Sequence, residues 1–285
     1  MFSPVATHDP TAVANAVSAA YLTLIPAGDR QFVPRAFDGA KECFTGHYAD
    51  YQAIDARYHD FEHTLQGTLC FARLLQGRHQ AGGQPPLSER ILQLGLLAIL
   101  LHDSGYLKKR EDIQGTGAKY TLTHVQRSTE FAAARLAAAG YQPADIRAVQ
   151  NMIRCTGVDA AVNRIEFQDA MEKVVGQALG TADLLGQMAA ADYVEKLPVL
   201  YAEFEEAARH APNRAHSLGL FTSAADLMRK TPEFWEKYVA RRLNHDFDGI
   251  HRFLNQPFPD GPNDYFQRIE VNMQRLRQQL AGANA

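Results

Sequence analysis

From Leu94 to Leu101 the chain is apolar almost all the way round a helix, so this segment has to lie at the centre of whatever fold forms. Ser88 reads as its N-cap, the GGQPP stretch at 82–86 as the break before it, and Asp103 as its end. The rest of the sequence repeats the same period, with no run of alternating strands. Helices are expected at 11–23, 31–49, 55–75, 123–139, 143–155, 166–188, 192–210, 223–228, 233–243 and 264–281. The third carries the stripe Leu65, Leu69, Ala72 and Leu75. Pro212, Gly219 and Pro232 punctuate the start of a C-terminal region, and neither a repeat nor a long linker divides the chain. The expectation is a single all-α domain over 1–285 with N- and C-terminal helical extensions, the latter from about 215 to 285.

The 285 residues are 46% hydrophobic and 21% charged, which excludes disorder and a collagen-like scaffold. A net charge of −3 with no long basic stretch argues against a nucleic acid polymer as partner. Ile91–Leu101 falls short of the roughly 20 residues that a membrane span needs, so no membrane is expected. The N-terminus, MFSPVATHDP, lacks the basic start and apolar block of a secretory signal. Cys43, Cys70 and Cys155 are isolated and have no CxxC spacing, which reads as reduced thiols in a cytoplasmic protein. Eleven histidines are left without an explanation.

His59 and His63 are four apart in a segment read as helix, so both rings are expected on one face. His63 also follows the inward stripe Gly67, Cys70 and Leu74. Two histidines at this spacing are by themselves more often hydrogen-bonded structural groups. His102 and Asp103, however, end the most apolar helix, where a carboxylate has to be paired or metal-bound because burying a lone charge is so costly. Asp183 continues the stripe Met171, Val175 and Leu179, and Gly176 and Gly180 leave room for a neighbouring helix. Asp192 is its rival and reads rather as the cap of the next helix. Two imidazoles and two carboxylates, His63, His102, Asp103 and Asp183, suit one or two divalent ions such as Mn²⁺, Mg²⁺, Fe²⁺ or Zn²⁺.

The order H…HD…D across helices resembles the HD-domain superfamily of metal-dependent phosphohydrolases, most closely its cyclic-nucleotide phosphodiesterase branch. Tyr58-His59-Asp60-Phe61-Glu62-His63 is similar to that branch's Tyr-His-Asn-x-x-His, and Ala182-Asp183-Leu184 to its Ala-Asp-Leu. The resemblance spans about 55–200 and implies an HD-domain helical bundle. It implies His63, His102, Asp103 and Asp183 as metal ligands, Asp103 as a bridge to any second ion, and His59 as the general acid. Glu62 is a candidate for orienting a histidine. Asp60 replaces the family's Asn, and Tyr106 stands where the family has His or Lys after the HD pair.

His124 opens a helix after a loop rich in Lys and Gly; with Lys108 and Lys109 it is a candidate for holding a substrate phosphate. His245, Asp246 and Asp248, with His251, read as the solvent face of an amphipathic segment anchored by Phe247, Ile250, Phe253 and Leu254. Trp235, Tyr238 and Phe234 read as packing. The expected function is a metal-dependent phosphodiesterase acting on a small phosphorylated or nucleotide-like substrate, with a homodimer left open. The alternatives are a di-iron oxygenase of the same superfamily, or a non-catalytic metal-stabilised ligand-binding protein.

Overall fold

The computed structural model describes residues 2–157, 160–211 and 221–282. The punctuating Pro212 and Gly219, and the first residues of the C-terminal extension expected from about 215, lie outside them. Among the described residues ten α-helices carry the fold: α1 (Pro10–Leu24), α2 (Phe32–Phe44), α3 (Phe61–Gln80), α4 (Glu89–Leu101), α5 (His124–Ala138), α6 (Pro143–Ile153), α7 (Ala170–Met188), α8 (Tyr193–His210), α9 (Ala224–Glu233) and α10 (Asp264–Gly282). Among the described residues there is no strand or sheet, only isolated bridges such as Tyr51 with Lys109, so the fold is all-α. None of these helices is long and apolar enough to cross a membrane.

Local signals set most boundaries. Ser88 caps α4 as expected, its Oγ accepting from Ile91 N at 3.3 Å. α7 starts at Ala170 rather than near 166, because the extended Asp169 caps it and accepts from Glu172 N. α2 stops at Phe44 instead of running to 49: Gly46 turns to φ 76° and its N–H bonds back to Cys43 O. The expected break at Pro232 is absent. Pro232 lies inside α9, and the chain continues directly into a π-helix at Phe234–Val239.

α3, α4 and α7 form the centre. Leu65, Leu74, Ile99, Ala182 and Leu185 are essentially inaccessible, and one continuous apolar cluster reaches from Val13 in α1 to Leu276 in α10. The expected close approach to α7 is present: a Cβ on Gly180 would lie 2.7 Å from Cys155 O, at the end of α6. All three cysteines are buried and unpaired, and burial pushes their thiols up, to about 11 for Cys43 and about 12 for Cys70 and Cys155.

Candidate metal centre

The four residues expected as ligands converge from three helices. His63 stands in the first turn of α3, His102 and Asp103 leave the C-terminal end of α4, and Asp183 lies in the middle of α7. Each imidazole Nε2 faces both carboxylates. His63 Nε2 is 3.3 Å from Asp103 Oδ2 and 3.2 Å from Asp183 Oδ1; His102 Nε2 is 3.4 Å from each. All four side chains are buried.

This closeness is not a set of ordinary hydrogen bonds. His102 Nδ1 lies 2.7 Å from Ile99 O, and a carbonyl can only accept, so the Nδ1 proton points there. In the neutral ring Nε2 then presents a lone pair to two anionic oxygens. His102 Nε2 and Asp103 Oδ2 are both buried without a hydrogen-bond partner. Something positive has to lie between them, either a proton or an ion. Burial alone pulls His102 down, but Asp103 and Asp183 outweigh it and push the ring up to about 9. Burial likewise raises both carboxyls, yet the two histidines hold Asp103 and Asp183 below the usual carboxylate range. An ion resolves the same conflict: donors at ordinary metal distances sit about 3.0 Å apart around an octahedral ion and about 3.4 Å apart around a tetrahedral one. His63, His102 and Asp103 offer donor atoms that all lie within 4.8 Å of one another, and Asp183 closes the ring. The donors therefore fit a borderline or hard divalent ion.

His59 is next to this cluster, but not in the way the four-residue spacing implied. α3 starts at Phe61, and Asp60 is its extended N-cap, accepting from His63 N at 2.8 Å. His59 therefore precedes the helix, and the two rings meet edge to face with centroids 5.4 Å apart. Its orientation comes from Glu203, a buried residue of α8. Nδ1 donates to Glu203 Oε2 at 2.6 Å, while Tyr58 N donates to Oε1 at 2.7 Å. Burial lowers the His59 pKa, but Glu203, with Asp103 and Asp183, more than offsets this and raises it above the usual value. Glu62, the expected orienting group, accepts instead from Thr7 and lies 3.6 Å from Lys196.

Tyr106, fully buried, is the platform for both neighbouring rings: His59 stacks on it at 4.4 Å and His124 at 4.8 Å. His124 Nδ1 donates to Thr121 O, and burial together with the nearby His59 lowers the pKa of this ring, whereas His59 adds to the positive field at Asp103. The two lysines are engaged elsewhere. Lys108 is buried and held by Asp55 at 2.8 Å and Gly115 O at 2.6 Å, and Lys109 lies over the Tyr51 ring at 4.0 Å. Asp192 precedes α8 and pairs with Lys196 at 3.3 Å, as a residue outside the centre. His245, Asp246 and Asp248 are exposed, but His251 is not: it is buried and stacked on Phe266.

One site residue, Glu203, was invisible as such in the sequence, whereas Gln187, one turn after Asp183, could be picked out but not assigned a role. Glu203 lies on the buried side of α8 with Leu197 and Ala207, and a carboxylate on that apolar stripe was the available signal. Gln187 accepts from Tyr58 OH at 2.8 Å and donates to Asp183 O at 3.1 Å, tying α7 to the segment before α3. No curated protein matches the chain. Residues 110–251 are similar to the family described as Npun_R2479-like, a match that takes in His124, Asp183 and Glu203 but ends short of His59, His63, His102 and Asp103.

Proposed function

We propose that the chain is a metal-dependent phosphohydrolase, acting as a phosphodiesterase on a small phosphorylated substrate. The observation that carries this reading is the pair of buried, partnerless donors, His102 Nε2 and Asp103 Oδ2, in a ring completed by His63 and Asp183. A divalent ion held by these four residues would lower the pKa of a bound water and polarise the phosphoryl oxygen. The chain's own residues do the rest. His63, His102, Asp103 and Asp183 hold the site rigid from three buried helices, which removes the cost of organising donors at the moment of reaction. His59 would deliver its Nε2 proton to the oxygen that leaves phosphorus, while the proton given up by the attacking water would pass to solvent. Glu203 favours the charged form of that ring, because its carboxylate stabilises the imidazolium.

The test is hydrolysis of bis(p-nitrophenyl) phosphate and p-nitrophenyl phosphate by metal-stripped protein, with Mn²⁺, Mg²⁺, Fe²⁺ or Zn²⁺ added back. The diester should be cleaved with at least one ion. Asp103→Ala should lose both bound metal and activity, whereas His59→Ala should keep the metal and lose turnover. Silence with all four ions on both esters would sink the reading, and iron-dependent oxygen uptake in its place would favour an oxygenase.

A further inference from the structure

The outer face of α6 forms one wall of a groove of about 580 Å³, distinct from the metal centre. Arg147 and Arg154 project from that helix at i and i+7, and Arg164 enters from the turn that follows. Among the described residues none of the three guanidinium groups is ion-paired, whereas Arg35, Arg90, Arg229, Arg275 and Arg277 all have carboxylate partners. Glu166 is the one acid in the lining, so three positive charges face one negative charge.

Arg154 is also held in place from below. Its NH1 donates to Asn151 Oδ1 at 2.7 Å, and Asn151 Nδ2 donates to Glu172 Oε1 at 2.8 Å and Glu166 O at 2.9 Å. Asn151 and Glu172 are 9% and 2% exposed, so this support is part of the packed interior. A guanidinium fixed on one edge keeps further N–H donors in a planar fork that matches a phosphate. Guanidinium groups left without acids in a concave site lower the cost of bringing in a multiply charged anion. The volume falls within the roughly 300–1,000 Å³ of small-molecule clefts, and a chain of net charge −3 is poorly suited to a long polyanion. We infer that this groove binds a small molecule bearing a di- or triphosphate, held by Arg147, Arg154 and Arg164.

The experiment is calorimetric titration of metal-stripped protein with inorganic tripolyphosphate, which reads binding and not hydrolysis. Wild type should bind one equivalent, more weakly as salt rises. Arg154→Gln should weaken binding roughly tenfold, and the triple Arg→Gln variant should abolish it. Asp183→Asn should bind as wild type does, which separates this groove from the metal centre whether or not that centre is hydrolytic. The inference is overturned by absence of binding at millimolar tripolyphosphate, by binding that ignores the three arginines, or by loss in Asp183→Asn alone. Equal affinity for orthophosphate would also overturn it, as would binding of a single-stranded oligonucleotide through these arginines in place of tripolyphosphate.

Discussion

His59 Nδ1 and Glu203 Oε2 lie 2.6 Å apart across 144 residues of sequence, joining the segment before α3 to the middle of α8. The carboxylate fixes the tautomer of the ring, so that Nε2 is the atom left to carry a mobile proton. Glu203→Gln keeps the shape but removes the charge. Turnover should fall about 10- to 100-fold with metal content unchanged. The carboxylate raises the His59 pKa, so in the variant the ring loses its proton at lower pH. The alkaline limb of the kcat profile should therefore move to lower pH. A profile that falls in height without moving would assign Glu203 to packing alone.

A divalent ion should stabilise the protein measurably, because it binds donors that exist together only in the folded chain. At a free concentration of about 100 Kd the gain is about 2.7 kcal/mol, a rise of several degrees in Tm for a chain of this size. Melting curves with and without Mn²⁺ and Zn²⁺ should show this rise, and a chelator should reverse it. Asp183→Ala removes one donor of the ring and should abolish the shift. An ion-dependent Tm that survives in Asp183→Ala would place the ion elsewhere.

His63, His102, Asp103 and Asp183 were legible because each polar residue interrupts an apolar helical stripe, and helical stripes predict which side chains meet inside. His59 was legible as a residue but not in its setting, since Asp60 caps α3 and breaks the four-residue register one step after it. Glu203 was not legible. Its partner is 144 residues away, and α8 has enough other acids, Glu205 and Glu206 among them, to hide one that points inward. The all-α class followed from periodicity, whereas Pro232 misled: it lies inside α9, one residue before its end, and the chain runs on helically beyond it.

The crossing of α3 and α7 decides how close Asp183 comes to His63. At Gly186 a Cβ would lie 2.8 Å from the carbonyl carbon and oxygen of Gln66 and from the amide nitrogen of Gly67. These are backbone atoms of α3 and cannot swing aside, so Gly186→Ala has to push the helices apart. The expected cost is about 1–3 kcal/mol. Metal affinity should drop as well, since Asp183 is one turn away on the same helix. Denaturant midpoints together with metal titration check both effects. An alanine tolerated without loss in either would mean that the crossing is looser than its geometry.

His251 should give a pH dependence separate from the candidate metal centre. It is buried against Phe266, its Nδ1 has no hydrogen-bond partner, and burial with the nearby Arg252 depresses its pKa to about 4. The unfolded chain, with an ordinary histidine near 6.5, binds this proton first. Stability from the buried neutral ring is therefore fully present above about pH 6.5 and is lost as the pH falls towards 4, by up to about 3 kcal/mol. His251→Phe keeps an aromatic stack on Phe266 and removes the titration. Whatever it does to stability at neutral pH, its urea midpoint should fall less steeply than that of wild type between pH 6.5 and 4. Parallel slopes would show that His251 takes up its proton in the folded protein without penalty, and that its burial carries no acid sensitivity.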